Sequence, residues 1–169
     1  MSRHAEPWKP NVTVAAVIER AGRFLLVEEQ TSDGLRLNQP AGHLEFGESL
    51  LQAVVRETLE ETRCDFTPEA LVGLYLMPTG VDARAPTYLR VAFCGRLGRE
   101  HAERSLDEGI ERTLWLDAAG IAAQRARLRS PLVLRCVEDY LGGRRADLAL
   151  LQFESALRDA AGGTAKGVR

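Results

Sequence analysis

Apolar residues fall along the chain in short runs, some continuous and one with helical spacing. Val12-Thr13-Val14-Ala15-Ala16-Val17-Ile18 is nearly continuous and β-branched, the pattern of a strand buried on both faces. Ala21-Gly22 marks a turn into Phe24-Leu25-Leu26-Val27, so these two runs are predicted to pair as a hairpin. After a loop at Thr31-Ser32-Asp33-Gly34, a short strand is expected from Leu35 to Asn38, broken by Pro40-Ala41-Gly42. The period then changes. Leu51, Val54, Val55 and Leu59 recur at helical spacing, and Ser49 with Gln52 three residues later forms a capping box, predicting a helix to about Thr62.

Three more strands are expected, at Leu71–Met77, Thr87–Cys94 and Arg112–Leu116. Asp117 can cap a helix from Ala118 to about Ala126. Ser130 and Pro131 open another, running to Leu141 before Gly142-Gly143. This order predicts an α/β protein with a mixed β-sheet flanked by helices. A single domain is expected over residues 1–157, with a frayed tail at 158–169.

Composition narrows the class of protein. The 169 residues are 45% hydrophobic and 27% charged, the balance of one globular domain rather than a disordered chain. No apolar run reaches the roughly 18–20 residues that cross a bilayer, and the first ten residues lack the apolar core of a signal peptide. Cys64, Cys94 and Cys136 are odd in number and lack metal-type spacing, which suits reduced thiols in a cytoplasmic protein. A net charge of −2 and the absence of a basic stripe argue against a nucleic acid polymer as partner. A monomer is expected.

The candidate chemistry lies in GHLEFGESLLQAVVRETLEETRC, residues 42–64. On a helix Glu57, Glu60 and Glu61 share one face, because positions three and four apart are neighbours. Arg56, four residues before Glu60, can hold that carboxylate in one orientation. Three stacked carboxylates repel, by about 0.2–0.5 kcal/mol per exposed pair. A hard divalent cation such as Mg²⁺, with Mn²⁺ a possible substitute, removes the repulsion and is typically shared with substrate phosphate oxygens. Glu48 can fold back towards the same ion, and Gly42 lets backbone approach it. Such a site suits hydrolysis of a phosphoric anhydride. A solvated acidic helix face is the bland alternative, but six fixed positions (Gly42, Glu48, Arg56, Glu57, Glu60 and Glu61) would coincide by chance only about once in 10⁷ starts.

These six residues resemble the signature box of the Nudix hydrolases. The resemblance implies an α/β/α sandwich, dependence on Mg²⁺ and hydrolysis of a diphosphate joined to another group. It implies Glu57 and Glu61 as principal metal ligands, Glu60 contributing, Arg56 bracing the carboxylates and Glu48 as an additional or supporting ligand. Two positions depart from the family pattern. Thr58 replaces a bulky aliphatic residue, and Arg63 stands where the family has a helix-ending Gly. The helix is therefore predicted to end differently, a turn later. Lys9–Ala15, Val27-Glu28-Glu29, Asn38–Glu45 and Leu128–Val133 are similar to one subgroup of the family. That likeness implies a phosphatase of nucleoside tri- and diphosphates and of small diphosphates such as hydroxymethylpyrimidine diphosphate or thiamin diphosphate.

Substrate contacts are less sharply marked. Asn38 and Gln39 can hydrogen-bond a base, although an Asn-Gln pair before Pro is also good loop chemistry. Tyr88 and Arg90 share one face of a strand, where they can stack on a ring and hold a phosphate, or simply face solvent. His43 reads as a loop hydrogen-bonder rather than a base. A general base outside the box has three candidates, Asp107, Glu108 and Glu111, of which Glu111 is preferred; Glu60 acting on water is an equal reading. The competing activities are a pyrophosphohydrolase that leaves a monophosphate and a non-catalytic sensor of phosphorylated ligands.

Overall fold

The computed structural model describes residues 8–82 and 84–154, so the expected domain limit at 157 and the tail 158–169 lie outside the described residues. Two sheets form the middle layer. The first has the order β5-β1-β7-β6, with β1 (Asn11–Val17), β5 (Ala41–His43), β6 (Cys64–Pro78) and β7 (Thr87–Glu100). It is mixed, because β1 runs parallel to β7 while β5 and β6 pair antiparallel. The second is built on β3 (Arg23–Thr31), which pairs with β2 (Glu19–Arg20), β4 (Gly34–Asn38) and β8 (Ile110–Asp117).

Side-chain alternation along the strands sends one set to each side. Val14, Ala16, Ile18, Leu25, Val91 and Phe93 pack with Ala53 and Val54 of α1 (Leu50–Thr62). Val17, Phe24, Leu26, Ala92 and Cys94 pack on the other side with Ile121 of α2 (Ala118–Ala123) and Val133, Leu134 and Val137 of α3 (Leu132–Leu141). Sheets covered on both faces by helices make the expected α/β/α sandwich. Each fully buried Val or Leu contributes about 1.5–3 kcal/mol, which is why the strand runs read as continuous rather than alternating.

The predicted hairpin is corrected. The runs Asn11–Val17 and Arg23–Thr31 lie in different sheets, and only the two-residue β2 turns back on β3. The chain changes sheet at Ile18, whose carbonyl accepts from Leu25 N–H at 3.0 Å. A second crossing follows Asn38. β4 ends at Asn38 as expected, but Ala41 and Gly42 form β5 with His43, and the Pro40 carbonyl accepts from Ala16 N–H at 2.9 Å. β6 and β7 are longer than the apolar runs predicted, since their outer halves carry polar residues on solvent faces. The α2 helix stops at Ala123 and continues as a 3₁₀ turn at Arg125–Arg127. Helix α3 starts at Leu132, after Pro131, and Ser130 provides no side-chain cap.

Helix α1 begins as expected, with Ser49 and Gln52 making both bonds of the capping box. Thr58 is fully buried, its hydroxyl donating to Val54 O at 2.7 Å, so the polar group at this core-facing position is satisfied. The C-terminus overturns the sequence expectation. The helix stops at Thr62, and Arg63 itself takes the left-handed conformation at φ 61°. Its N–H donates to Leu59 O and its guanidinium pairs with Glu100 at 3.1 Å. The family's turn is kept here by a residue that is strained in it. We therefore expect Arg63→Gly to stabilise the protein by about 1 kcal/mol, the usual left-handed cost of a non-glycine residue less a weak surface ion pair. Thermal or urea unfolding would check this, and a loss of stability would show that the Glu100 pair outweighs the strain.

Candidate active site

The acidic face of α1 is organised around Arg56. Its Nη2 and Nε donate to Glu48 at 2.7 and 3.1 Å, and its Nη1 to Glu57 at 2.8 Å and Glu60 at 3.0 Å. A further bond from Nη2 reaches His43 O at 3.0 Å, tying the helix to β5. Hydrogen bonding to Glu48, then to Glu57, holds the Arg56 guanidinium firmly charged. The same bond holds the Glu48 carboxyl below its ordinary range, and Glu48 also accepts from Glu45 N–H at 2.8 Å.

Glu57, besides its bond to Arg56, and Glu61 lie against consecutive residues of β5. A Cβ at Gly42 would overlap the carboxylate of Glu57, so that carboxylate occupies the space the glycine leaves open. Glu61 is 7% exposed and its Oε2 accepts from Ala41 N–H at 2.8 Å. Burial raises Glu57 above the ordinary carboxylate range against the pull of Arg56. Burial pushes Glu61 up to about 8, with the nearby charges of Glu57, Glu29 and Asp107 adding to the effect. Two raised carboxylates, packed on one short strand, form a site short of positive charge.

Among the described residues, no three His, Cys, Asp or Glu side chains converge as a ready metal cage. The physical reason is visible: Arg56 holds Glu48 and Glu60, and only Glu57 and Glu61 face the β5 backbone. That pair still fits a hard cation, since it offers buried carboxylate oxygens with too few cationic or N–H partners. Gly42 sits opposite Val14 in the sheet, whereas Ala41 turns its N–H towards the helix. The carbonyl of Ala41 shares that side of the strand, so Ala41 rather than Gly42 offers the backbone oxygen. No sequence signal marks such a backbone group.

Ala41 and Gly42 also line a cleft of about 350 Å³ together with Thr13, Glu29, Asn38, His43, Tyr88, Arg90, Arg129 and Ser130. The expected pairing of Tyr88 and Arg90 on one face holds, and that face is the cleft rather than open solvent. Arg90 is 6% exposed, donating to Asn38 Oδ1 at 2.8 Å and Gln39 Oε1 at 3.1 Å. Tyr88 lies 6.2 Å from the His43 ring, centroid to centroid, so His43 belongs to the cleft wall and not to a loop. Gln39 is removed from the cleft: it is 1% exposed and its amide donates to Val133 O at 2.7 Å, pinning the crossing to α3. Glu111 is exposed, at the bulge where β8 leaves β3, and is not brought to the cleft or the helix. The loop before β8 reaches α1 instead through Asp107, whose N–H donates to Glu60 O at 3.0 Å.

The sequence profile of the NUDIX domain matches residues 7–135. The chain belongs to the Nudix hydrolase family and is an enzyme acting on phosphoric anhydrides. Within that family it is 35% identical over 144 residues to phosphatase NudJ of Escherichia coli K12, covering 85% of this chain and 92% of the relative. The same identity and coverage hold for phosphatase NudJ of Shigella flexneri. A NUDIX hydrolase from Nitrosomonas europaea superposes with a TM-score of 0.82 at 48% identity, covering 88% of this chain and 99% of that one.

Two outcomes test this geometry. Gly42→Ala is expected to change stability little, because the clash is with the end of a flexible side chain, yet to abolish most activity by expelling the Glu57 carboxylate. Full activity in that variant would show that the contact is incidental. The second concerns pH. Glu61 is raised from 4.5 to about 8, so its contribution to stability is complete below about pH 4.5 and lost as pH climbs through about 8. In chelator, the thermal midpoint should therefore fall between pH 5 and 8.5, and Glu61→Gln should flatten that slope.

Proposed function

We propose that this enzyme is a Mg²⁺-dependent phosphatase, with Mn²⁺ able to substitute. Its substrates are nucleoside tri- and diphosphates and small organic diphosphates such as hydroxymethylpyrimidine diphosphate or thiamin diphosphate. The observation that carries the reading is the pair of under-neutralised carboxylates, Glu57 and Glu61, packed on the two β5 residues that also line the cleft. Similarity to phosphatase NudJ across 85% of the chain favours phosphate release over other Nudix outcomes.

Glu57, Glu61 and the Ala41 carbonyl would hold the cation, with Glu60 contributing. When bound, the cation neutralises charge on phosphate oxygens and acidifies water. Arg56 keeps Glu48, Glu57 and Glu60 in fixed rotamers, so the acidic groups need no reorganisation when substrate arrives. Glu60 is 36% exposed and has one oxygen on Arg56, leaving the other to accept a proton from attacking water. Tyr88 offers its ring to the organic group of the substrate, and Arg90 fixes Asn38 beside it. The cleft volume suits a small molecule and not a polymer.

The setting fits as well. The three cysteines are unpaired, and among the described residues no helix is long and apolar enough to cross a membrane. We read the enzyme as cytoplasmic from its reduced thiols and composition, and as a monomer.

GTP with Mg²⁺ is expected to yield GDP and phosphate; GMP and pyrophosphate would establish the pyrophosphohydrolase alternative. Glu57→Gln and Glu61→Gln should each reduce turnover at least about 100-fold with the fold intact by circular dichroism. Wild-type turnover in either would remove that residue from the metal site.

A further inference from the structure

Three arginines surround the site, and two are already committed. Arg56 is spent on Glu48, Glu57, Glu60 and the His43 carbonyl. Arg90 is buried, and its two terminal nitrogens donate to Gln39 and Asn38. Arg129 shares the cleft with Arg90 but differs in exposure and bonding. It lines the cleft, its side chain is 48% exposed, and among the described residues its guanidinium donates no hydrogen bond. The nearest carboxylate is Glu29, with Arg129 Nε 3.4 Å from Oε1, and that oxygen is buried without a hydrogen-bond partner. This is an ion pair that neither partner completes.

The root of the side chain is fixed while its head is free. Arg129 N–H donates to Leu37 O at 2.8 Å, beside the bridge between Leu37 and Leu128. Ser130 follows in the cleft wall, and α3 starts two residues later. A guanidinium anchored this way at the mouth of a cleft short of positive charge presents a planar fork that matches two phosphate oxygens. The amino end of α3 adds favourable partial charge behind it.

We propose that Arg129 is a substrate-binding residue that grips non-bridging phosphate oxygens of the diphosphate, with Glu29 acting as the positioning residue that parks it against the cleft wall between turnovers. The inference rests on the phosphatase reading only for the identity of the anion. It assigns the phosphate contact to Arg129 in place of Arg90, which is 6% exposed and points each terminal nitrogen at Gln39 or Asn38.

The test pairs kinetics with binding. Arg129→Gln is expected to raise KM for GTP about 10- to 100-fold while kcat changes less than about fivefold, the signature of binding lost equally in ground and transition states. Calorimetric affinity for methylenediphosphonate, measured with Mg²⁺, should fall by the same factor, and Arg129→Lys should lie between, as a point charge without the fork. Arg129→Gln leaves Glu29 without its cation, so the double variant E29Q/R129Q keeps the test open if the single variant folds poorly; it should show the same loss. Unchanged KM and unchanged analogue affinity in the folded variants would overturn the proposal, as would a wild-type protein that does not bind the analogue. Arg129-dependent analogue affinity supports it whichever bond of GTP is cut, so failure of the phosphatase reading is read from the products alone.

Discussion

The arrangement depends on one guanidinium. Glu48, Glu57 and Glu60 are brought together by the loop and helix of the signature, and without Arg56 they would repel across a partly buried surface. Arg56 answers three of them at 2.7–3.1 Å and bonds the His43 carbonyl as well, so it fixes the helix to the strand that carries the site. Its multiple geometry matters more than its charge. A lysine would supply one point charge, whereas the fork constrains each carboxylate's direction. Arg56 holds Glu48 and Glu60 away from the strand and steadies Glu57, which with Glu61 faces the backbone of β5.

That division explains why β5 is so short and so placed. The strand has three residues, and each serves the site differently: Ala41 gives its N–H to Glu61, Gly42 leaves room for Glu57, and the His43 carbonyl receives Arg56. The crossing that delivers β5 is itself held by Gln39, whose side chain joins Arg90 of β7 to the first turn of α3. Fold and site are thus linked through buried polar contacts. A half-satisfied version of them would be costly, since buried polar groups without partners lose about 1–3 kcal/mol each.

The helix was legible in the chain because its information is local. Capping residues, helical spacing and the stacked glutamates all lie within residues 49–62, and the structure repeats them. Sheet pairing was not legible, because pairing of β1 with β7 joins residues more than seventy positions apart and no local pattern distinguishes it from a hairpin. Arg63 shows a tertiary constraint overriding propensity: the turn into β6 is set by its neighbours, and Arg63 takes a conformation it disfavours. The sequence offers Gln39 as a base contact or as loop chemistry, and no local pattern reveals that the crossing buries it. The backbone of Ala41 has no sequence signature at all, and Glu29 was visible only as one of two adjacent acids. Alternation resolves that pair: Glu28 turns to Arg112 and Arg127, while Glu29 enters the cleft.

A charge account of the cleft brings these strands together. A diphosphate carries negative charge into a site that already holds Glu29, Glu57 and Glu61 in or beside its walls. Of the nearby cations, Arg56 gives its donors to carboxylates and the His43 carbonyl, and Arg90 is 6% exposed and bonded to the Asn38 and Gln39 amides. The deficit must be met from two directions. In the proposed reading, a divalent cation at the Glu57 and Glu61 end would answer the carboxylates and part of the substrate at once. At the other end, Arg129 is tethered by its backbone but unfinished in its hydrogen bonding, and in the proposed reading a phosphate takes the donors that Glu29 leaves open. Selectivity for a small anionic substrate then follows from the requirement that it satisfy both ends of one 350 Å³ cleft.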